Sequence, residues 1–452
     1  MVAARRAPGG WESGLGEAAR RLLGELAALA EPLPLALVGG AVRDLLLARG
    51  ASGSARGESS AVVETRRGRP DERRRGAGHG ELDLAVEADD AALAALVARF
   101  EERLGPCARR HPPFRLCRWE GRGDEPGIDL SGARAETYAA PGALPRTRPA
   151  TLEDDLLRRD FAVNALAIVV AGPRRGELLD PGGGLDDLAA RRLRTLHARS
   201  YEDDPTRLAR GVRFEARLGF RLTAEDEDAA RRAFAGAAPD AVAPSRVGRE
   251  LTLLLAEPDP AGALARFVEL GAGARWLPGL RQGSADDVRA AAAAALGAAA
   301  ALGADDDLRA ALVHAATTRP ERAAERAERV ALSSRARRAL LEGMAQSRRL
   351  ERLLREAPDD AALVRAVYRA APGTLLCAAA FAGAEALERA ARARRLIDAH
   401  PPLLAARDLI DLGVPAGPEL QDWLARLAGE RAAGRVADRA AAVALILDRR
   451  PT

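Results

Sequence analysis

The chain has 452 residues, and of its ionisable side chains 69 are cationic against 65 acidic; every one of the 69 is arginine. The absence of lysine excludes Schiff-base and pyridoxal-phosphate chemistry, lysine nucleophiles and the Walker A lysine, because each needs a primary amine at a fixed place. Phosphate would be met by arginine forks, backbone N–H groups and metal ions, and a net charge of +4 suits a polyanionic partner only where the cations cluster.

In chain order, the apolar spacing of Leu15, Leu22, Leu23, Leu26 and Leu29 predicts a helix over 14–30. Leu33 to Val38 is a short apolar run that ends in Gly39 and Gly40, and Ala41 to Arg49 reads as a helix opening straight off those glycines, with Arg43 and Asp44 in its first turn. Residues 50–80 hold almost nothing apolar and cannot bury enough surface to fold alone, so they read as a disordered insertion, with a basic RNA-contacting arm as the alternative to a solvated loop. Leu82 to Val86 alternates as a strand, Ala88 to Leu104 is amphipathic with helical period, and Phe114 to Trp119 and Ile128 to Leu130 are further strands. From Leu152 the pattern becomes helical almost without interruption, broken at prolines such as Pro181, Pro205, Pro244 and Pro358. Alanine-rich runs such as Ala290 to Ala304 predict tight helix packing rather than a membrane span. The fold class expected is α+β, a small head with a mixed sheet followed by a helical remainder.

Cys107, Cys117 and Cys377 form neither a disulfide framework nor a C-x-x-C site, which predicts a reducing, cytoplasmic setting and small apolar roles for the thiols. Glu12 and Glu17 interrupt the arginine-rich start, so no targeting segment is expected.

The chemistry concentrates in a few places. Glu81 and Asp83 stand at i and i+2, which on a strand puts both carboxylates on one face, where a divalent cation relieves their repulsion; alone, this spacing also fits a solvated strand face. Asp129 adds a third carboxylate on a later strand, and the order strand, Gly39-Gly40, helix N-terminus, acidic strand outlines a nucleotide-transfer site. The two glycines do not fit G-x-G-x-x-G, which disfavours a dinucleotide fold. Asp204 and Arg207, three apart on a predicted helix, would share a face and offer a carboxylate acceptor beside guanidinium donors, a match for the edges of cytosine and adenine. Read without its surroundings, the same pair is a surface salt bridge. Asn164, the only asparagine, points to a specific hydrogen-bonding task or to a turn or cap. Arg210 and Arg213 lie about one and two turns beyond Arg207, toward phosphate or solvent, and His197 and Tyr201 read as packing residues.

VGGAVRDLLL at 38–47, ELDLAVE at 81–87, the R-R-D core at Arg158, Arg159 and Asp160, and DDPTR at 203–207, with fainter likeness at 244–255 and 407–419, resemble the class II tRNA nucleotidyltransferase and poly(A) polymerase family. The resemblance implies a nucleotidyltransferase (polymerase-β-like) head over 14–175 carrying the 51–79 insertion, a helical neck over 176–262, and a helical body and tail over 263–452. It implies Glu81, Asp83 and Asp129 as the catalytic carboxylates, with Glu81 and Asp83 holding Mg²⁺. Nucleotide contacts fall to Gly39, Gly40, Arg43, Arg158, Arg159, Asp160, Asn164, Asp203, Asp204, Arg207, Arg210 and Arg213.

The activity implied is addition of C and A to the tRNA 3′ end from CTP and ATP, with tRNA as partner, no membrane and no protein partner. A poly(A) polymerase or an enzyme adding only CC or only A keeps the same motifs. The family usually carries aspartate where this chain has Glu81, and the added methylene moves the carboxylate by about 1.5 Å, where about 1 Å of misplacement can cost on the order of 100-fold in rate. A catalytically weakened RNA-binding homologue is therefore the rival reading.

Overall fold

The computed structural model describes residues 5–52, 81–137, 142, 145–281 and 283–448. The chain divides into two compact units, Met1–Val242 with Ala256–Pro258, and Ala243–Leu255 with Asp259–Thr452. From residue 53 the expected insertion lies outside the described residues.

The first unit runs β1 (Arg5–Arg6), α1 (Glu17–Ala30), β2 (Leu35–Val38), α2 (Gly40–Ser52), β3 (Glu81–Val86), α3 (Asp90–Leu104), β4 (Arg109–His111), β5 (Leu116–Trp119) and β6 (Gly127–Gly132). It continues through β7 (Arg134–Thr137), β8 (Arg146–Pro149), α4 (Leu152–Leu157), β9 (Ala167–Ala171), β10 (Glu177–Leu179), α5 (Gly184–Ala189), β11 (Arg192–Leu193), α6 (Ser200–Asp203), α7 (Thr206–Leu218), β12 (Arg221–Leu222) and α8 (Ala224–Ala235). Eight strands form one sheet in the order β1-β10-β9-β2-β3-β6-β5-β4, in which β3 and β6 are parallel and the other neighbours antiparallel. Local chemistry sets the helix ends: Asp89 caps α3 by accepting from Ala92 N–H at 2.8 Å, and Gly105 ends it at φ 82°.

Both faces of the sheet are covered. Leu35 and Leu37 of β2, Leu82 and Leu84 of β3, and Ile128 and Leu130 of β6 pack in one core with Leu26 of α1 and Phe100 of α3. Ala36, Val38 and Ala85 pack in a second core with Leu152 and Leu156 of α4. Alternation along the strands therefore turns Glu81, Asp83 and Asp129 to the second face.

The helical reading from Leu152 onward is corrected at β9 and β10. Strand β9 (AIVVA) is buried along its whole length between β2 and β10. Covered on both faces, it lacks the alternation that marks a half-exposed strand and reads as apolar helix.

The second unit is helical among its described residues: α9 (Pro244–Leu255), α10 (Pro260–Glu269), α11 (Gly273–Trp276), α12 (Ala285–Ala301), α13 (Asp306–Thr317), α14 (Ala323–Arg329), α15 (Ser334–Glu356), α16 (Asp360–Val367), α17 (Pro372–Ala382), α18 (Ala384–Ala399), α19 (Ala406–Asp411), α20 (Pro418–Ala432) and α21 (Arg439–Asp448). No described helix is long and apolar enough to cross a membrane. Small residues set the spacing. A Cβ on Gly343 of α15 would stand 2.6 Å from that of Cys377 on α17, so the two helices pack as closely as they do only over glycine. Cys377 is buried and serves as the small apolar residue expected of it.

One polar cluster lies inside this unit. Arg326 of α14 is fully buried and donates from Nε to the Pro278 carbonyl and from Nη2 to the Leu277 carbonyl, both at 3.0 Å. Its Nη1 lies 3.3 Å from His314 Nδ1. Burial, and then the Arg326 charge, pushes the His314 imidazole down to about 3, so the ring is neutral and Nδ1 accepts.

An unfolded histidine titrates near 6.5. The stability linked to neutral His314 is therefore complete above pH ~6.5 and is lost as pH falls toward about 3. His197, exposed beside Arg207, shifts in the same direction, so the difference between variant and wild type isolates His314. His314→Asn is expected to flatten the fall in thermal midpoint between pH 6.5 and 4.5, removing on the order of 1 kcal/mol per pH unit of dependence. An unaltered slope would show that His314 takes up its proton in the fold as readily as in the unfolded chain.

Candidate active site

Strand pairing assembles the carboxylates. The parallel register sets Glu81 opposite Gly127 and Asp83 opposite Asp129. One oxygen from each of Glu81, Asp83 and Asp129 lies within 4.8 Å of the others, and all three residues are half-buried. Three hard oxygen donors so disposed suit a small divalent cation such as Mg²⁺ or Mn²⁺ better than a soft metal. A fourth group stands beside them. Arg118 on β5 lies opposite Asp129 in register, with Nη1 3.5 Å from Asp129 Oδ2 and Nη2 donating to Glu81 Oε1. Sequence reasoning missed Arg118. Its only signal was the alternation of Leu116-Cys117-Arg118-Trp119, which gains meaning once β5 is known to pair with β6.

The glycine turn lies at the same end of the sheet. Because β2 and β3 are antiparallel, with Leu37 paired to Leu84, the end of β2 that leads into Gly39 lies toward the start of β3, where Glu81 and Asp83 stand. Gly39 has φ 72°, a left-handed turn that favours glycine, and the Arg159 guanidinium end lies over it, where a Cβ would stand 2.8 Å from Nη1. Helix α2 begins at Gly40, and its N-terminal amides favour anionic groups.

Behind the turn runs a continuous polar chain. Arg43 is 3% exposed; its Nη1 donates to Asn164 Oδ1 at 2.7 Å and its Nε to Asp44 Oδ1 at 2.7 Å. Asn164 Nδ2 donates to Asp160 Oδ1 at 3.0 Å, and Asp160 Oδ2 accepts from Arg210 Nε at 2.8 Å. The Phe214 ring lies under both guanidinium groups, 5.4 Å from Arg43 and 5.7 Å from Arg210. Burial pushes the Asp160 carboxyl up, but Arg210, Asn164 and the Phe161 N–H outweigh it and hold it at about 2. The lone asparagine thus bridges a cation and an anion, since its amide has both an acceptor and donors.

Asp155, which sequence reasoning also missed, anchors the R-R-D core. Its carboxylate is fully buried, accepting from Arg158 Nη2 at 2.6 Å and Arg159 Nη2 at 3.0 Å. Burial raises its pKa, yet the two arginines bring it below the usual carboxylate range. The i, i+3 and i, i+4 spacing from 155 to 158 and 159 was a legible signal. Arg158 also donates to Glu136 Oε1 at 2.9 Å.

The DDPTR segment differs from expectation. Asp204 is not on a helix: it is extended, at φ −140° and ψ 93°, between α6 and α7. Its Oδ1 accepts from Thr206 N–H at 3.0 Å and from Thr206 Oγ1 at 2.6 Å, as a helix cap does, because the proline at 205 interrupts the helix before α7 begins. Arg207 is 5% exposed and turned inward, donating from Nη2 to the Arg158 carbonyl at 2.9 Å and from Nη1 to Ser200 Oγ. The shared helical face expected for Asp204 and Arg207 is therefore replaced by a cap and a buried strut. Asp203 lies 3.9 Å from His197 Nδ1. Arg210 joins the Asp160 chain, whereas Arg213 donates to buried Glu257 at 2.9 Å, beside Arg217.

The head domain of the poly A polymerases matches residues 35–194. The chain is 34% identical over 429 residues to a CC-adding tRNA nucleotidyltransferase of Deinococcus radiodurans, covering 92% of this chain and 90% of that protein. It is 38% identical over 251 residues to an A-adding tRNA nucleotidyltransferase of Halalkalibacterium halodurans, 55% of this chain and 51% of that protein, so it spans about half of that relative's length. With an A-adding tRNA nucleotidyltransferase of Geobacter sulfurreducens the match covers 24% of the relative. The fold is that of a CCA-adding enzyme in an apo form, with TM-score 0.75 and 21% identity over 99% of this chain and 100% of that one. A Thermotoga maritima CCA-adding enzyme complexed with tRNA gives TM-score 0.74, again at 21% identity, over 99% of each chain. With a relative aligned along nearly its whole length, the chain belongs to the class II tRNA nucleotidyltransferase and poly(A) polymerase family.

Proposed function

We propose that this chain is a cytoplasmic, template-independent nucleotidyltransferase that completes the 3′ CCA end of tRNA from CTP and ATP and releases pyrophosphate. The observation that carries the reading is the convergence of Glu81, Asp83 and Asp129 on neighbouring strands, at the sheet end where Gly39 turns into α2. Their all-oxygen donor set fits Mg²⁺. Bound there, a divalent cation would activate the attacking 3′-hydroxyl and neutralise charge on the triphosphate.

The rest of the work falls to the chain itself. Asp155 holds Arg158 and Arg159 in fixed orientations, and their forks fit phosphate oxygens. Arg43, Asn164 and Asp160 act behind them, fixing the first turn of α2 and the position of Arg210. Base choice falls to Asp203, Asp204 and Arg207, with Arg207 exchanging the Arg158 carbonyl and Ser200 for the edge of cytosine or adenine. The arginines of the helical unit meet the tRNA backbone, so binding weakens steeply with salt.

A second reading, addition of CC alone, is favoured by the Deinococcus relative aligned over 92% of this chain. Purified protein incubated with tRNA transcripts ending before CCA, after CC, and complete, each with labelled CTP or ATP, separates the two. CCA synthesis supports the first reading, a stop after CC the second, and long A tails on an unrelated RNA overturn both.

Asp83→Ala is expected to lower incorporation by on the order of 100-fold or more, with a thermal midpoint in the absence of metal that does not fall, since one of three repelling carboxylates is removed; unchanged incorporation would remove the carboxylates from the chemistry. Asn164→Ala removes the buried bridge between Arg43 and Asp160 while Arg43 keeps Asp44, and is expected to cost about 1–3 kcal/mol in urea unfolding of the full chain. No loss would show that Arg43 finds another acceptor.

A further inference from the structure

We propose that Arg118 is the resident counter-ion of the carboxylate site, a positioning residue that holds Glu81 and Asp129 in place before a cation arrives and sets how tightly the cation is bound. The inference rests on the reading of Glu81, Asp83 and Asp129 as cation ligands.

Three carboxylates with oxygens within 4.8 Å of one another repel strongly in a half-buried site. Arg118 supplies opposite charge from the sheet itself. It sits on β5, in register with Asp129, and its guanidinium reaches past β6 to β3, with Nη1 3.5 Å from Asp129 Oδ2 and Nη2 donating to Glu81 Oε1. Its side chain is 16% exposed, against 14% for Glu81 and 21% for Asp129, so the three share one poorly solvated environment where charges act more strongly than at an open surface.

A carboxylate has two oxygens, so engagement by the fork does not forbid ligation of a cation. Glu81 does both at once: its Oε1 accepts from Arg118 while its carboxylate belongs to the cluster.

The counter-ion role has two consequences of opposite sign. Without metal, Arg118 relieves the repulsion and stabilises the strand end. With metal, the same positive charge opposes a second cation nearby. Neutralising Arg118 therefore lowers metal-free stability and tightens metal binding, whereas loss of an ordinary structural contact lowers stability and leaves binding unchanged or weaker.

The test follows the thermal midpoint of the full chain, without nucleotide, across Mg²⁺ and Mn²⁺ titrations, with free Mn²⁺ read by electron paramagnetic resonance. Wild type is compared with Arg118→Gln, Arg118→Met and Arg118→Lys. Both neutral variants should start at a lower midpoint, rise further on metal addition and half-saturate at a metal concentration about 3-fold or more below wild type. Arg118→Lys should half-saturate within about 2-fold of wild type because it keeps the charge. A neutral variant that folds only in the presence of metal is the same result in its extreme form. Half-saturation that is unchanged or raised in the neutral variants, or failure to fold with and without metal, overturns the counter-ion role. Absence of any metal response in wild type, matching that of Asp83→Asn, overturns the cation reading itself.

Discussion

The mutual repulsion of Glu81, Asp83 and Asp129 is the constraint around which the first unit is built. Carboxylates brought within 4.8 Å of one another are unfavourable unless the fold holds them there. The sheet does so by making β3 and β6 the one parallel pair in an otherwise antiparallel arrangement. That register places Asp83 level with Asp129, and alternation on both strands turns the acids to one face while Leu82, Leu84, Ile128 and Leu130 anchor the other. A slip of one residue would turn the acids into the leucine core and the leucines onto the second face. Burial of the apolar set therefore enforces the placement of the acidic set.

The arginines divide by what surrounds them. Arg43 and Arg207 lie in places where triphosphate or base contacts were expected, yet both are buried and hold other parts of the site: Arg43 clamps Asn164, and Arg207 clamps the Arg158 carbonyl. Arg158 and Arg159 keep partial exposure because a buried acid, Asp155, lies behind them. In each case the fork geometry allows one side chain to bind several partners, which a lysine ammonium does less well. A chain with no lysine can use its cations as struts as readily as it uses them as ligands.

The parts of the fold with strong periodicity were legible in the sequence. Helices α1 and α3, the β2–Gly39–α2 passage and the acidic strand lie within a few residues of where apolar spacing and glycine placed them. The carboxylate triad was legible as well, because i, i+2 on a strand fixes a common face. Strand β9 was not, since a segment buried on both faces carries no alternation, and its place between β2 and β10 is a long-range fact. Arg118 and the chain from Arg43 through Asn164 and Asp160 to Arg210 were illegible for the same reason: their partners are 37, 121 and 50 positions away. The shared helical face of Asp204 and Arg207 failed differently, through the proline between them, whose break turns the acid into a cap.

The buried arginines also set where the protein is sensitive to pH. Arginine keeps its charge through the neutral range, and even fully buried Arg326, pushed down by burial to about 9, stays cationic at neutral pH. Protonation changes then fall on the groups that face these cations. His314 beside Arg326 and His197 beside Arg207 are both shifted toward the neutral form. Asp160 beside Arg210 and Asp155 beside Arg158 and Arg159 are shifted toward the charged form. All four shifts have one sign in pH, because each delays protonation of the fold relative to the unfolded chain. Stability built in this way is complete at neutral pH and erodes from the acid side only, first through the histidines and then through the carboxylates that hold the site together.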